Sequence, residues 1–336
     1  MGKYRIFIVD DNTWEEHLKV GVAAINDPVF THPNNRNANS SRQSAMAEIS
    51  GIRAEDILFF NRMGSASHPP EILGLYKAKS SPYFDNQPLY PGARHVKDNL
   101  PFRVEFDCLL NCPNPINIDE IWALKEEGKI WTIQQSRGDA VGVHACIGIT
   151  RMEGKLLEKL LKTNNIVFNS PANFTRAQIN KTPLPLDLRT DRKGNLHYEA
   201  VLLALLLEDF ANGKHRDIFG DYDDFVPFVP MSSRKEIDIL LLKYDEDDIL
   251  WYQILELKAD SFTMLELQRL IDYEKWLSRT RAKNALQVYS IALAFNFDDQ
   301  VKRFVRGRQQ YKDRPIRLIK YSWDSNTFSL TLSEEF

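Results

Sequence analysis

The sequence predicts a two-domain α/β protein, and three observations lead there. At 336 residues the chain is long enough to build two hydrophobic cores. Up to residue 165, short alternating strands dominate with short helices between them, which suits a small curved sheet or open barrel. From Leu196 onward, helices alternate with strongly apolar strands, the pattern of a sheet flanked by helices. Between these halves, residues 166–192 hold Pro171, Pro183 and Pro185 among scattered Asn and Thr, with little periodicity. They read as a linker, giving domains at 1–165 and 193–336.

The composition fits a globular chain, at 43% hydrophobic and 26% charged residues. No apolar run approaches a membrane span and Met1–Val20 lacks a signal-peptide pattern, so a cytoplasmic protein without membrane contact is expected. Cys108, Cys112 and Cys146 lack the companions of a zinc site and are expected as free thiols. The net charge of -3 argues against a non-specific nucleic-acid coat protein, but leaves room for a local basic groove.

In chain order, Lys3–Val9 alternates as an opening strand. Thr13 and Glu16 have capping-box spacing, so a short helix is expected to open at Thr13. Residues 26–50 are rich in Asn, Ser and Pro, and at least the first half is expected to be loop. Ile57–Asn61, Glu71–Ala78 and Leu100–Asp107 read as strands, and Ile130–Ile133 as a short one. Asp119–Glu127 and Glu153–Leu161 read as helices, the latter amphipathic. In the second half, Leu196–Asn212, Thr263–Arg279 and Asp298–Tyr311 are expected helices. Leu286–Phe295 and Ile316–Tyr321 are expected strands, with Phe328–Leu332 at an edge.

The chemistry concentrates between Glu236 and Lys258, two apolar strands joined by an acidic turn. Residues i and i+2 of a strand share a face, so Glu256 and Lys258 do, and a hairpin brings Asp238 beside them. Two carboxylates and an ammonium are costly to desolvate in an apolar setting, and their most direct use is to hold a divalent metal. The bland alternative is a hairpin whose charges are solvated. In the preceding helix, Glu199 shares a stripe with Leu202, Leu203, Leu206 and Phe210. In the following one, Gln268 shares a stripe with Met264, Leu267 and Ile271, and Tyr273 comes shortly after. Mg²⁺, with Mn²⁺ as a substitute, takes oxygen ligands of this kind and polarises phosphodiesters. Between Arg279 and Lys320, lysines and arginines far outnumber the acids Asp298, Asp299 and Asp313, which suits phosphate contacts.

Taken together, the order helix-Glu, strand-Asp, strand-Glu-x-Lys, helix-Gln-x-x-x-x-Tyr resembles the PD-(D/E)xK nuclease superfamily. The resemblance covers Leu196 to Tyr321 and is strongest to the RecB-like branch and to single-strand-specific and mismatch endonucleases of the NucS type. It implies a restriction-endonuclease-like αβββαβ core. It also implies that Asp238 and Glu256 are metal ligands, Glu199 a further ligand, Lys258 the catalytic lysine, and Gln268 with Tyr273 a supporting motif. One departure is that Glu236-Ile237, rather than a Pro, precedes Asp238.

The first half carries Asn12-Thr-Trp-Glu, Asp56-Ile-Leu-Phe-Phe, Leu73-Gly-Leu-Tyr-Lys-Ala, Ser81-Pro-Tyr-Phe-Asp, Leu100-Pro-Phe-Arg-Val and Ile147-Gly-Ile-Thr-Arg-Met-Glu-Gly. These pieces, spread over Met1–Asn165, resemble the EVE and YTH branch of PUA-like folds. The resemblance implies a mixed β-barrel with short helices that binds a modified base between aromatic walls. Trp14, Phe60, Tyr83 and Trp131 are the candidate walls and Asn61 the candidate edge-reading amide. The expectation that joins both halves is a modification-dependent, restriction-type endonuclease acting on double-stranded DNA as a homodimer. Its rivals are a structure-specific repair nuclease and a non-catalytic reader of modified nucleic acid.

Overall fold

The computed structural model describes all residues except 1, 32–33, 66–67, 90–98, 134–143, 166–173, 175–179, 233–234, 247, 311–314 and 336. Its backbone contacts divide the chain into Met1–Leu186 and Asp187–Phe336. Much of the expected linker lies outside the described residues. Of the rest, Leu184 and Leu186 pack on the core of the first unit.

The first unit begins with β1 (Tyr4–Val9), α1 (Asp11–Val20), β2 (Val22–Ile25), α2 (Pro28–Thr31), α3 (Ala38–Ser50), β3 (Ile57–Arg62) and β4 (Glu71–Ala78). It continues with β5 (Tyr83–Phe84), β6 (Phe102–Cys108), β7 (Ile116–Asn117), α4 (Ile118–Glu126), β8 (Cys146–Ile149) and α5 (Arg151–Asn164). The strands follow the order β2-β6-β4-β3-β1-β8, with β5 beside β6 and β7 beside β4. A parallel β1–β3 pair inside an otherwise antiparallel sheet makes it mixed. Among the described residues no pairing joins β2 to β8, which fits the small curved sheet or open barrel read from the strand pattern. Alternation gives it two apolar faces. Phe7, Leu58, Phe60, Tyr76 and Phe106 meet Trp14 of α1 and Met46 of α3 on one face. Tyr4, Ile6, Phe59 and Ile147 meet Leu157 and Leu161 of α5 on the other.

Several local expectations change. α1 opens on Asp10, whose carboxylate accepts the Thr13 N–H at 2.8 Å, so Thr13 lies inside the helix. Residues 26–50 hold two helices, the short α2 and the longer α3, which buries Gln43, Met46 and Ile49. Ile130–Ile133 forms no strand. The buried Glu153 carboxylate takes the Trp131 and Thr132 N–H groups that a strand partner would otherwise use.

The second unit runs α6 (Glu199–Ala211), α7 (Arg216–Phe219), β9 (Asp224–Ser232), β10 (Lys235–Asp245), β11 (Asp248–Phe262) and α8 (Met264–Thr280). It closes with β12 (Val288–Phe297), α9 (Asp299–Gln310), β13 (Ile316–Asp324) and β14 (Ser329–Glu334). The six strands lie in the order β14-β13-β12-β11-β10-β9. β11, β12 and β13 are parallel, and the hairpins β9–β10–β11 and β13–β14 flank them. Central strands buried on both faces read as continuous apolar runs, as Ile291–Ala294 of β12 and Ile239–Leu242 of β10 do. α8 covers the face of the sheet that carries Glu256: Ser290, whose neighbour Ile254 is two residues from Glu256, bonds Glu274 of α8 at 2.9 Å. Among the described residues no helix is long and apolar enough to cross a membrane, and all three cysteines are free.

Candidate active site

The β10–β11 hairpin aligns Ile239 with Leu255, which sets Asp238 opposite Glu256. Both carboxylates and Lys258 thus fall on one face, two to four residues along from the fully buried Leu240 and Ile254. On the other side of β10, the edge strand β9 pairs Val229 with Ile237 and Pro227 with Ile239. Phe228 therefore lies opposite Asp238, and its φ of 55° is a strained, left-handed backbone for a bulky residue.

Glu256 is 2% exposed. Its Oε1 lies 3.8 Å from Lys258 Nζ, and its buried Oε2 has no hydrogen-bond partner among the described residues. Burial, and then the Asp238 charge, push its carboxyl up to about 9, against the opposing pull of Lys258 and Arg269. Asp238 is half-buried and accepts the Leu257 N–H at 2.6 Å. Burial pushes it up to about 7, Lys258 pulls it down and Glu199 adds to the rise. Lys258 Nζ donates to Glu199 Oε2 at 2.9 Å and to the Leu257 carbonyl at 2.6 Å. Burial alone would lower this ammonium, but the charges of Asp238, Glu199 and Glu256 outweigh it and hold the lysine above its ordinary value.

Three carboxylates cluster around the Lys258 ammonium, and the Glu256 Oε2 is left without a hydrogen-bond partner among the described residues. Among the described residues no three His, Cys, Asp or Glu side chains stand together as a ready metal cage. That is compatible with Mg²⁺, which is commonly held by one or two carboxylates and keeps several waters. Asp238 and Glu256 fit that role. Glu199, expected as a further ligand often through water, forms an ion pair with Lys258 at 2.9 Å.

The chain ahead of α6 is tied down beside the site. Asn195 Nδ2 donates to Asp260 Oδ1 at 3.0 Å, the Leu196 N–H donates to Tyr321 Oη at 3.1 Å, and the Tyr321 hydroxyl donates to the Ala259 carbonyl. These contacts start α6 at Glu199, and they were not legible from sequence because each joins segments far apart in the chain. Gln268 requires correction. It is exposed and bonds Asp272 at 3.1 Å, while the buried stripe of α8 runs through Leu267, Leu270, Tyr273 and Leu277. The catalytic part expected of Gln268 does not fit that placement. Tyr273 does face the site, where burial and then the Glu256 and Asp238 charges raise its hydroxyl.

The basic stretch is also less available than expected. Lys283 pairs with Asp248, Lys302 and Lys320 with Glu335, Arg308 with Glu274, and Arg317 with Glu334. Of the remainder, Lys312 and Arg314 lie outside the described residues.

In the first unit the four candidate aromatics do not form one cage. Phe60 is fully buried and packs on Trp14 at 4.9 Å, Tyr76 at 5.3 Å and Phe106 at 5.4 Å between ring centroids. Trp14 is itself buried in the same core. Trp131 is half-buried, its backbone held by Glu153 among residues of the opposite face. Tyr83 is buried on β5 beneath the Lys181 ammonium, 5.3 Å from the ring centre. Phe60 and Trp14 are packing groups, because a small sheet needs their area to fill its face. Asn61 is different: it is buried, and its Oδ1 has no hydrogen-bond partner among the described residues.

No protein-family model matches the chain, and no curated protein does. Among solved structures, the chain is similar to human THYN1 in complex with 5-methylcytosine containing DNA. The identity is 13% and the TM-score 0.32, over 48% of this chain and 98% of that one. It is similar to a repair endonuclease from Pyrococcus abyssi at 16% identity and a TM-score of 0.24, over 33% of this chain and 46% of that one. It is also similar to the MspJI restriction endonuclease in complex with an oligonucleotide, at 11% identity and a TM-score of 0.19, over 90% of this chain and 68% of that one. Likenesses of this size assign no residue of the chain; the geometry of Asp238, Glu256 and Lys258 stands by itself.

Proposed function

We propose that the protein is a metal-dependent DNA endonuclease whose first unit reads a modified base and whose second unit hydrolyses a phosphodiester of double-stranded DNA. The observation that carries the nuclease half is the buried, unpartnered Glu256 Oε2 beside Asp238 and Lys258 on one sheet face. Asp238 and Glu256 are the residues that would hold Mg²⁺, or Mn²⁺ in its place. Bound there, the cation would supply Lewis acidity toward the phosphate and lower the pKa of a water. Lys258, kept protonated by its carboxylate neighbours, orients that water or steadies charge on the phosphate oxygens. Glu199 holds the lysine in line by its 2.9 Å ion pair.

The reader half is supported by the sequence resemblance of the first unit and by Asn61, a buried amide with an oxygen to spare. The four aromatics give it no support. A homodimer supplies a second active site for the second strand.

The test is a cleavage assay with Mg²⁺ and with Mn²⁺ on duplexes of one sequence, carrying different cytosine and adenine modifications or none. Cutting confined to a modified duplex, and lost in Asp238→Ala, is the expected result. Equal cutting of modified and plain duplexes sinks the reader half. No cutting by the wild type with either metal sinks the enzyme.

A further inference from the structure

On a helix, residues four apart share a face, whereas residues five apart lie about 140° round from each other. Tyr273 of α8 is 3% exposed and lies in reach of the Glu256 and Asp238 charges. The residue that shares its face one turn earlier is Arg269, not Gln268. Arg269 is half-buried, and its positive charge acts on Glu256 and on Tyr273. Among the described residues its guanidinium makes no hydrogen bond and no ion pair.

That sets it apart from the other half-buried cations of this unit. Arg308 is spent on both Glu274 oxygens at 2.6 and 2.9 Å, and Lys258 on Glu199 and the Leu257 carbonyl. The Arg269 donors are committed to no described group of the protein and are open to an incoming ligand. Its fixed fork of N–H groups matches the oxygens of a phosphate. A cation whose charge reaches Glu256 without bonding to it is placed for an anion that arrives beside that carboxylate.

Resting on the nuclease reading of this site, we propose that Arg269 is its phosphate-contacting residue and binds the non-bridging oxygens of the scissile phosphodiester. In the hydrolysis, the water oxygen bonds to phosphorus and the bond to one ester oxygen breaks. Water gives up a proton and the departing oxygen gains one. Arg269 exchanges no proton; it neutralises charge that builds on the non-bridging oxygens.

The full chain tests this in two measurements. Binding of a 5-methylcytosine duplex and its plain twin is titrated against salt in Ca²⁺, by fluorescence anisotropy. Single-turnover cleavage is measured in Mg²⁺ on whichever duplex the wild type cuts. Arg269→Gln is expected to flatten the slope of log affinity against log salt by about one, at unchanged melting temperature. It is expected to slow cleavage by ~100-fold or more. Arg269→Lys keeps the point charge, so it restores the slope, but only part of the rate, because the two-point contact is lost. An unchanged slope overturns the assignment whether or not the wild type cuts, and so does a fall in melting temperature that accounts for both losses. A flattened slope with no wild-type cleavage keeps the phosphate contact and removes the nuclease reading. Failure of the wild type to bind either duplex overturns both.

Discussion

Neutralising Glu256 should make the metal-free protein more stable while abolishing its function. The carboxyl is 2% exposed and pushed up to about 9 from its ordinary value of 4.5. A carboxyl raised in the folded state binds more protons there than in the unfolded chain between those two values. Stability therefore falls as pH rises across that window. At pH 8 the unfolded chain has released this proton, while the folded chain must either hold it or bury a charge. Each unit of the gap is worth about 1.4 kcal/mol. Asp238 shares the proton uptake, so Glu256→Gln is expected to gain ~2–4 kcal/mol at pH 8 in EDTA. Lys258 keeps Glu199 as its partner, so no buried cation is stranded. Adding Mg²⁺ at ~100 times its dissociation constant should restore about 2.7 kcal/mol to the wild type and nothing to the variant. Denaturant unfolding at pH 8, with and without Mg²⁺, reads both numbers. A destabilised Glu256→Gln in EDTA, or equal Mg²⁺ shifts in the two proteins, would refute the argument that this carboxylate awaits a cation.

Other expectations follow from the same geometry. Mg²⁺ affinity should tighten as pH rises through about 7 to 9, because binding displaces protons from Asp238 and Glu256; calorimetry in buffers of different ionisation enthalpy should detect the released protons. Lys258→Ala should slow cleavage by ~10²–10⁴-fold and leave duplex affinity nearly unchanged, and a matching loss of affinity would instead give the lysine a docking role. Phe60→Ala should cost the first unit ~3–5 kcal/mol in a denaturant titration, since its ring is enclosed by Trp14, Tyr76 and Phe106. A stable variant with altered base preference would return Phe60 to a reading role. Gly154→Ala should also destabilise: its Cβ falls inside the Tyr4 ring. Overpacking of ~1–3 kcal/mol outweighs the helix propensity gain of at most ~1 kcal/mol.

Much of the fold was legible because alternation and helical stripes follow local rules. The six strands of the second unit include every one expected, and Thr263 with Glu266 caps α8 as the spacing allows. What stayed hidden was set by distant partners. β2 is only Val-Ala-Ala-Ile, too short to read until β6 pairs with it. α3 is polar on most of its surface, and only its packing into the core through Met46 and Ile49 makes it a helix worth forming. Ile130–Ile133 looked like a strand because its apolar residues are buried, but the Glu153 carboxylate satisfies its N–H groups instead.

The two halves of the site differ in legibility for one physical reason. A strand has period two, so Glu256 and Lys258 are placed on one face by spacing alone, and the hairpin ladder sets Asp238 opposite. A helix demands the right count: the sequence offers both Gln268 and Arg269 ahead of Tyr273, and only the interval of four gives a shared face. At an interval of five stands the exposed Gln268, bonded to Asp272, and at four stands the cation beside it. Aromatic residues obey no such rule, since a ring that fills a core and a ring that walls a pocket look alike in sequence. Phe60 and Trp14 proved to be core, whereas Asn61 stands out only once its oxygen is seen to be buried without a partner. Spacing thus identifies chemistry where the backbone period fixes direction. Elsewhere, the sign of a site is an unmet electrostatic need, as at Glu256 Oε2 and at Arg269.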